Sequence, residues 1–264
     1  MRILDQTFIQ ISVIILSTCA GALAQSGGRG AQANTLKPDP NHVSVSQIQG
    51  DASDYLRVLG KRLTTPGYER ATTSGSLITA TGSSVHSFTW QHPGLVRFDA
   101  SGSENKSLSF DGAASHGANS SVDQDLLETF TNDLPEAFFF SLHNGTAVRF
   151  LGGRFRSDDG KTSNYNGPWY GIYQLMSAVP GTQRVSPKLY YFDATSGLLG
   201  KVEYDSASPG TGRVTVQFSD WKAVGGEQFP GKIVRLIGKS TEFTITHATV
   251  IFGPAGDTSP FGKH

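Results

Sequence analysis

The stretch Arg213-Val214-Thr215-Val216-Gln217-Phe218-Ser219 decides the fold class. Val214, Val216 and Phe218 fall on one side of an extended chain; Arg213, Thr215 and Gln217 fall on the other. A period of two marks a strand with one face in a core and one in water, the habit of antiparallel sheets. Working outward, the same period recurs in residues 85–91, where His86, Phe88 and Trp90 share a face. It recurs in 95–99 with Val96 and Phe98, and in 107–110 with Leu108 and Phe110. His92-Pro93-Gly94, Asp111-Gly112 and Gly225-Gly226 separate these runs as turns. Further strands are predicted over 147–155, 169–179, 188–192, 200–205, 232–238 and 242–252. Asp193-Ala194-Thr195-Ser196-Gly197 reads as a hairpin turn between two of them.

One strong helix interrupts the strands. Ser121 with Gln124 is predicted as its capping box, and Val122, Leu126, Leu127 and Phe130 form one apolar stripe. Residues 132–136 (Asn-Asp-Leu-Pro-Glu) stop it and start a short second helix carrying Phe138, Phe139, Phe140 and Leu142. An earlier helix is expected over 52–63, where Leu56, Leu59 and Leu63 recur at helical spacing. The count is about ten or eleven strands around one helical insert, a mainly β (α+β) architecture with few crossovers.

The N-terminus predicts export. Arg2, the apolar run 8–16 and the small residues ending Ala22-Leu23-Ala24 give the charged, apolar and small-residue order of a cleavable signal. The run is too short to span a bilayer, which takes ~20 apolar residues. Lipid attachment at Cys19 fits less well, because Thr18 stands where Gly, Ala or Ser is usual. The expected organisation is therefore a signal over 1–24, a flexible Gly/Pro-rich linker over 25–50 and a single β domain over 51–264, exported to the periplasm or cell envelope. Cys19 is the only cysteine, so no disulfide holds the domain and the core must do so. Lys+Arg and Asp+Glu both number 22. This balance provides no basic excess for nucleic acid and no polybasic stretch for an anionic membrane.

The last third carries a resemblance. Leu189-Tyr190-Tyr191-Phe192-Asp193, Thr195-Ser196-Gly197-Leu198-Leu199 and Val202-Glu203-Tyr204-Asp205 resemble a hairpin of the outer-membrane lipoprotein-sorting family, which has a LolA/LolB-like fold. Phe218-Ser219-Asp220-Trp221 with Val224-Gly225-Gly226 and Phe229-Pro230 resembles the stretch that follows it, and Ile233-Val234-Arg235 with Phe243-Thr244-Ile245 continues it. The middle segment, from 133–136 through 153–156 to 167–170, resembles a bacterial branch apart from the well-studied carriers. The resemblance implies an antiparallel curved sheet, an unclosed half-barrel with helices covering its concave mouth. In the carriers that cavity holds acyl chains, so it further implies an apolar ligand, a lipid or acyl chain, and admits an envelope protein partner. The carriers' lid-holding arginine has three available positions here, Arg149, Arg154 and Arg156.

The candidates for lining such a cavity are Phe88, Trp90, Leu126, Phe130, Phe138, Phe139, Leu142, Trp169, Tyr173 and His247. The same aromatics equally suit a filled core. Catalytic signals are weak. There is no Gly-x-Ser-x-Gly elbow and no His-Glu-x-x-His. Ser103-Glu104-Asn105-Lys106 fits Ser-x-x-Lys but precedes a strand, where the reactive serine needs a helix start. His86 and His92 near Asp99 are the one place where a metal could be sought. His247 follows Phe243 and Ile245 on one strand face, as an interior histidine or, facing a cavity, as a polar anchor for a ligand head group. The expected protein binds an apolar ligand and uses no cofactor. A filled-core interaction module and a metal-dependent hydrolase are the alternatives.

Overall fold

The computed structural model describes residues 66–138, 148–155, 169–178, 185–193, 195–206 and 212–262. The expected signal, linker and first helix lie outside these residues. Twelve strands form one antiparallel sheet. In chain order they are β1 (Arg70–Thr79), β2 (Gly82–Gln91), β3 (Leu95–Gly102), β4 (Lys106–Phe110), β5 (Ser115–His116), β6 (Val148–Phe155), β7 (Trp169–Ala178), β8 (Val185–Asp193), β9 (Leu199–Asp205), β10 (Arg213–Ser219), β13 (Lys232–Ile237) and β14 (Ser240–Gly253). β11 (Lys222–Val224) and β12 (Glu227–Phe229) form a separate two-stranded hairpin.

The spatial order is β5-β4-β3-β2-β1-β14-β13-β10-β9-β8-β7-β6. Its ends, β5 and β6, do not pair with each other, so the sheet is unclosed. One join is non-local: β1 pairs with β14, setting Arg70 opposite Gly253 and Thr79 opposite Phe243. That join places the early strands and the late strands in one sheet. The register shifts between Ser74 and Gly75, where Ala248 is the extra residue of a bulge in β14. Gly75 is required opposite the bulge, because a Cβ on it would stand 1.7 Å from the Thr246 carbonyl oxygen.

Alternation holds where the sequence predicts it. Val214, Val216 and Phe218 are buried while Arg213, Gln217 and Ser219 are exposed, and His86, Phe88 and Trp90 share the buried face of β2. The sheet exceeds the predicted strand count for a physical reason. β1 reads Arg-Ala-Thr-Thr-Ser-Gly-Ser-Leu-Ile-Thr and carries few apolar residues, while β5 has two residues, too short to show a period; the same shortness hides the separate β11–β12 hairpin.

Helix α1 (Ser121–Glu128) continues as a π-helical turn over Thr129–Asp133, and residues 135–138 are helical again. The N-terminus is one residue earlier than the predicted box: Ser120 is the cap, and Asp123 is its reciprocal partner. Ser120 Oγ accepts from the Asp123 N–H at 3.2 Å, and Asp123 Oδ2 accepts from the Ser120 N–H at 3.0 Å. The two pairs offer equivalent caps one residue apart, so the pattern alone does not fix the register. The stripe behaves as predicted: Leu126, Leu127 and Phe130 are buried against the sheet, with Val122 partly buried beside them.

Candidate functional site

Two aromatic residues seat the helical segment on the sheet. Phe130 stacks on Phe88 of β2 at 4.1 Å between ring centres and on Phe98 of β3 at 5.4 Å. Phe138 meets Tyr190 and Phe192 of β8 at 4.8 and 5.1 Å and Tyr173 of β7 at 5.9 Å. The structure thus brings the candidates Phe88, Phe130, Phe138 and Tyr173 into contact with the helix or with its seat. Trp90, Leu126 and His247 are buried in the same interior. Phe139 and Leu142 lie outside the described residues, as does the side chain of Trp169 at the start of β7.

Between these two anchors runs a buried ionic network that the sequence reading does not find. Arg235, on the inward face of β13, is 2% exposed. Its Nε donates to Glu242 Oε2 at 2.8 Å and its Nη2 to Asp125 Oδ1 at 2.6 Å. Its Nη1 donates to the Tyr204 hydroxyl at 2.6 Å and to Thr129 Oγ1 at 3.4 Å. The Tyr204 hydroxyl in turn donates to Asp133 Oδ2 at 2.9 Å. Lys188, inward on β8, donates to Asp133 Oδ1 at 2.6 Å and Glu128 Oε1 at 3.2 Å. Tyr190 donates to the Asn132 carbonyl at 2.9 Å. Four strands, β8, β9, β13 and β14, therefore grip the polar side of α1 and its π turn. The partners satisfy one another, which is the condition for burying such charges at all.

The network contains four carboxylates, Asp125, Glu128, Asp133 and Glu242, against the two cations Lys188 and Arg235. The acid excess shows in Asp125. Burial pushes its carboxyl up to about 7, Arg235 opposes this, and Glu242 and Glu128 add to it. The signal for the network lay in β13 and β8: Arg235 stands in phase with Ile233 and Ile237, and Lys188 with Tyr190 and Phe192. A charge on the apolar side of an alternating strand requires a buried partner. Of the three arginines that the resemblance leaves available, Arg149 is exposed on β6, Arg156 lies outside the described residues, and so does the side chain of Arg154.

A cleft of about 1110 Å³ opens alongside α1. One end is walled by Leu95 of β3 and Phe110 of β4 with Leu127 of the helix. The other is walled by Tyr204, Arg235 and Glu242 of β9, β13 and β14 with Asp125 and Glu128 of the helix. Its lining is thus amphipathic along its length.

The histidines resolve differently. His86 and Asp99 stand on opposite faces: Asp99 pairs outward with Arg97 at 2.7 Å, whereas His86 turns inward to His247. His86 Nε2 lies 3.3 Å from His247 Nδ1, which is also 2.8 Å from Thr73 Oγ1. Gly75 sits opposite both histidines in the register and puts no side chain between their rings. His247 Nε2 is buried with no hydrogen-bond partner. Burial pushes His86 down to about 4, and burial followed by the neighbouring His86 pushes His247 down to about 3. No group of three or more potential metal ligands occurs among the described residues.

No known family model matches the sequence, and no curated protein matches it. Solved structures do match in fold. A LolA superfamily protein from Nitrosomonas europaea is 12% identical, covers 80% of this chain and 97% of its own, and superposes with a TM-score of 0.51. An outer-membrane lipoprotein-sorting protein domain from Vibrio parahaemolyticus is 10% identical over 76% of this chain and 93% of its own, with a TM-score of 0.47. A DUF1329 family protein from Desulfovibrio piger gives 9%, 81%, 97% and 0.47 for the same measures. The fold is LolA-like, as the hairpin of residues 189–205 implies. No helix among the described residues is long and apolar enough to cross a membrane.

Proposed function

We propose that the protein is an exported envelope protein that binds a lipid, acyl chain or other apolar ligand in its half-barrel, without chemistry of its own. The observation that carries this reading is the amphipathic cleft beside α1, whose volume falls in or just above the ordinary range for small-molecule sites of ~300–1,000 Å³. The LolA-like fold and the signal-like order of residues 1–24 support it. In this reading residues 25–50 are a linker and 51–264 the working domain. Phe88, Trp90, Tyr173 and His247 on the sheet, with Leu126, Phe130 and Phe138 on the helical segment facing them, form the inner wall that a longer chain reaches once the helix lifts. Phe139, Leu142 and Trp169 extend that wall in the same proposal. Arg235 and Lys188 hold the helix down in the empty state, the role that the resemblance leaves open among Arg149, Arg154 and Arg156.

One observation favours the second reading, an interaction module with a filled core. Phe130 already occupies the space over Phe88 at stacking distance. The two readings separate on titration of the full chain with dodecyl maltoside below its micellar concentration, followed by calorimetry. Saturable one-to-one binding, weakened by Leu95→Asp in the apolar wall, supports the ligand reading. Uptake that never saturates, or that ignores Leu95→Asp, contradicts it and leaves the interaction module.

A further inference from the structure

The two ends of the cleft differ in chemistry, and the difference selects among amphiphiles. At one end Leu95, Phe110 and Leu127 present carbon to the cleft, with Ser115 beside Phe110. At the other end the cation is Arg235, and all three of its nitrogens already donate within the protein, to Glu242, to Tyr204 and Thr129, and to Asp125. Four of the five guanidinium N–H groups are thus engaged, and the fifth, on Nη2, has Glu128 Oε2 3.6 Å away, so a phosphate or carboxylate head arriving there competes with a carboxylate for it. Carboxylate oxygens are in surplus. The side chains of Asp125 and Glu128 keep 23% and 26% of their surface exposed, whereas that of Asp133 keeps none. Acceptors with unused lone pairs therefore face the cleft, beside a stripe that takes an alkyl chain.

Resting on the ligand reading above, we propose that the cleft selects amphiphiles with a cationic, ammonium-type head over those with an anionic head. The alkyl part lies against Leu95, Phe110 and Leu127, and the head lies between α1 and β13–β14, against Asp125, Glu128 and Glu242. A charge-assisted contact of this kind changes affinity by roughly tenfold or more.

The test compares three probes of equal chain length on the full chain at about pH 8, where Asp125 is mostly ionised: dodecylammonium, dodecanoate and the uncharged dodecyl maltoside. The expected result is that the ammonium probe binds at least roughly tenfold more tightly than dodecanoate, and that Glu242→Gln lowers this ratio. Because that variant also alters the Arg235 network, the wild type is measured at low and at about 0.5 M salt as well, where screening must shrink the ratio. Equal affinities, or a preference for dodecanoate, with the maltoside still bound, overturn the charge selection and leave the cleft reading intact. Failure of all three probes to bind overturns both.

Discussion

The histidine pair should draw stability down in mild acid. His86 and His247 are neutral in the folded protein down to about pH 4 and about pH 3, while in the unfolded chain each takes a proton near pH 6.5. Between pH 6.5 and about 4 the unfolded state therefore holds one more proton per histidine, and stability drops as pH falls, by about 1.36 kcal/mol per pH unit for each. Within that window the loss depends on the unfolded value alone. At pH 5 it comes to about 2 kcal/mol per histidine, or about 4 kcal/mol for the pair. Asp125 works the other way. Its folded value, about 7, lies above the 3.8 of an unperturbed Asp, so the folded state gains its proton first and stability rises as pH falls through 7. Subtracting a variant removes this and every other shared titration. His247→Leu replaces the imidazole with an apolar side chain that does not titrate and leaves Asp125 untouched. Urea unfolding of wild type and variant at pH 7.5 and 5.0 gives the difference directly. The wild type is expected to lose about 2 kcal/mol more than the variant between the two pH values. Parallel losses in both proteins would refute the assignment of His247 as a neutral, proton-resisting core residue.

Other expectations follow from the same contacts. Arg235→Ala leaves Asp125, Asp133 and Glu242 without their shared cation and should cost about 3–5 kcal/mol in denaturant unfolding; a loss under about 1 kcal/mol would mean that the network is not formed. Phe130→Ala removes the ring stacked on Phe88 and should cost about 3–5 kcal/mol, with faster hydrogen exchange through residues 121–133 than in β10 or β13. Gly75→Ala places a Cβ against the Thr246 carbonyl and should destabilise by about 3 kcal/mol, whereas Gly226→Ala, which meets no neighbouring atom but has a φ of +88°, should cost about 1 kcal/mol. Thermal melts of the two glycine variants, run side by side, check the order.

Much of the sheet was legible because single-faced burial writes a period of two into residues such as 85–91 and 213–219. β1 was not, since its threonines and serines hide the inward positions of Ala71, Thr73 and Leu77. The helix was legible from Leu126, Leu127 and Phe130, but its cap slid by one residue because Ser120-Ser121 offers two hydroxyls in a row. The ionic network was missed for a different reason. Arg235 and Lys188 look like surface charges until the inward phase of their strands is followed, and their partners on α1 are more than fifty residues away in sequence. The cleft was less legible still: its walls come from β3–β4, α1 and β9–β14, which become neighbours only once β1 pairs with β14.

The central claim is that the half-barrel holds an apolar ligand in the cell envelope. Native mass spectrometry of the full chain's mature product, recovered from the periplasm of an expressing bacterium, tests it most directly. The account predicts a bound species of lipid or acyl-chain mass that leaves on denaturation. A bare polypeptide mass that takes up neither added fatty amine nor added phospholipid would contradict it.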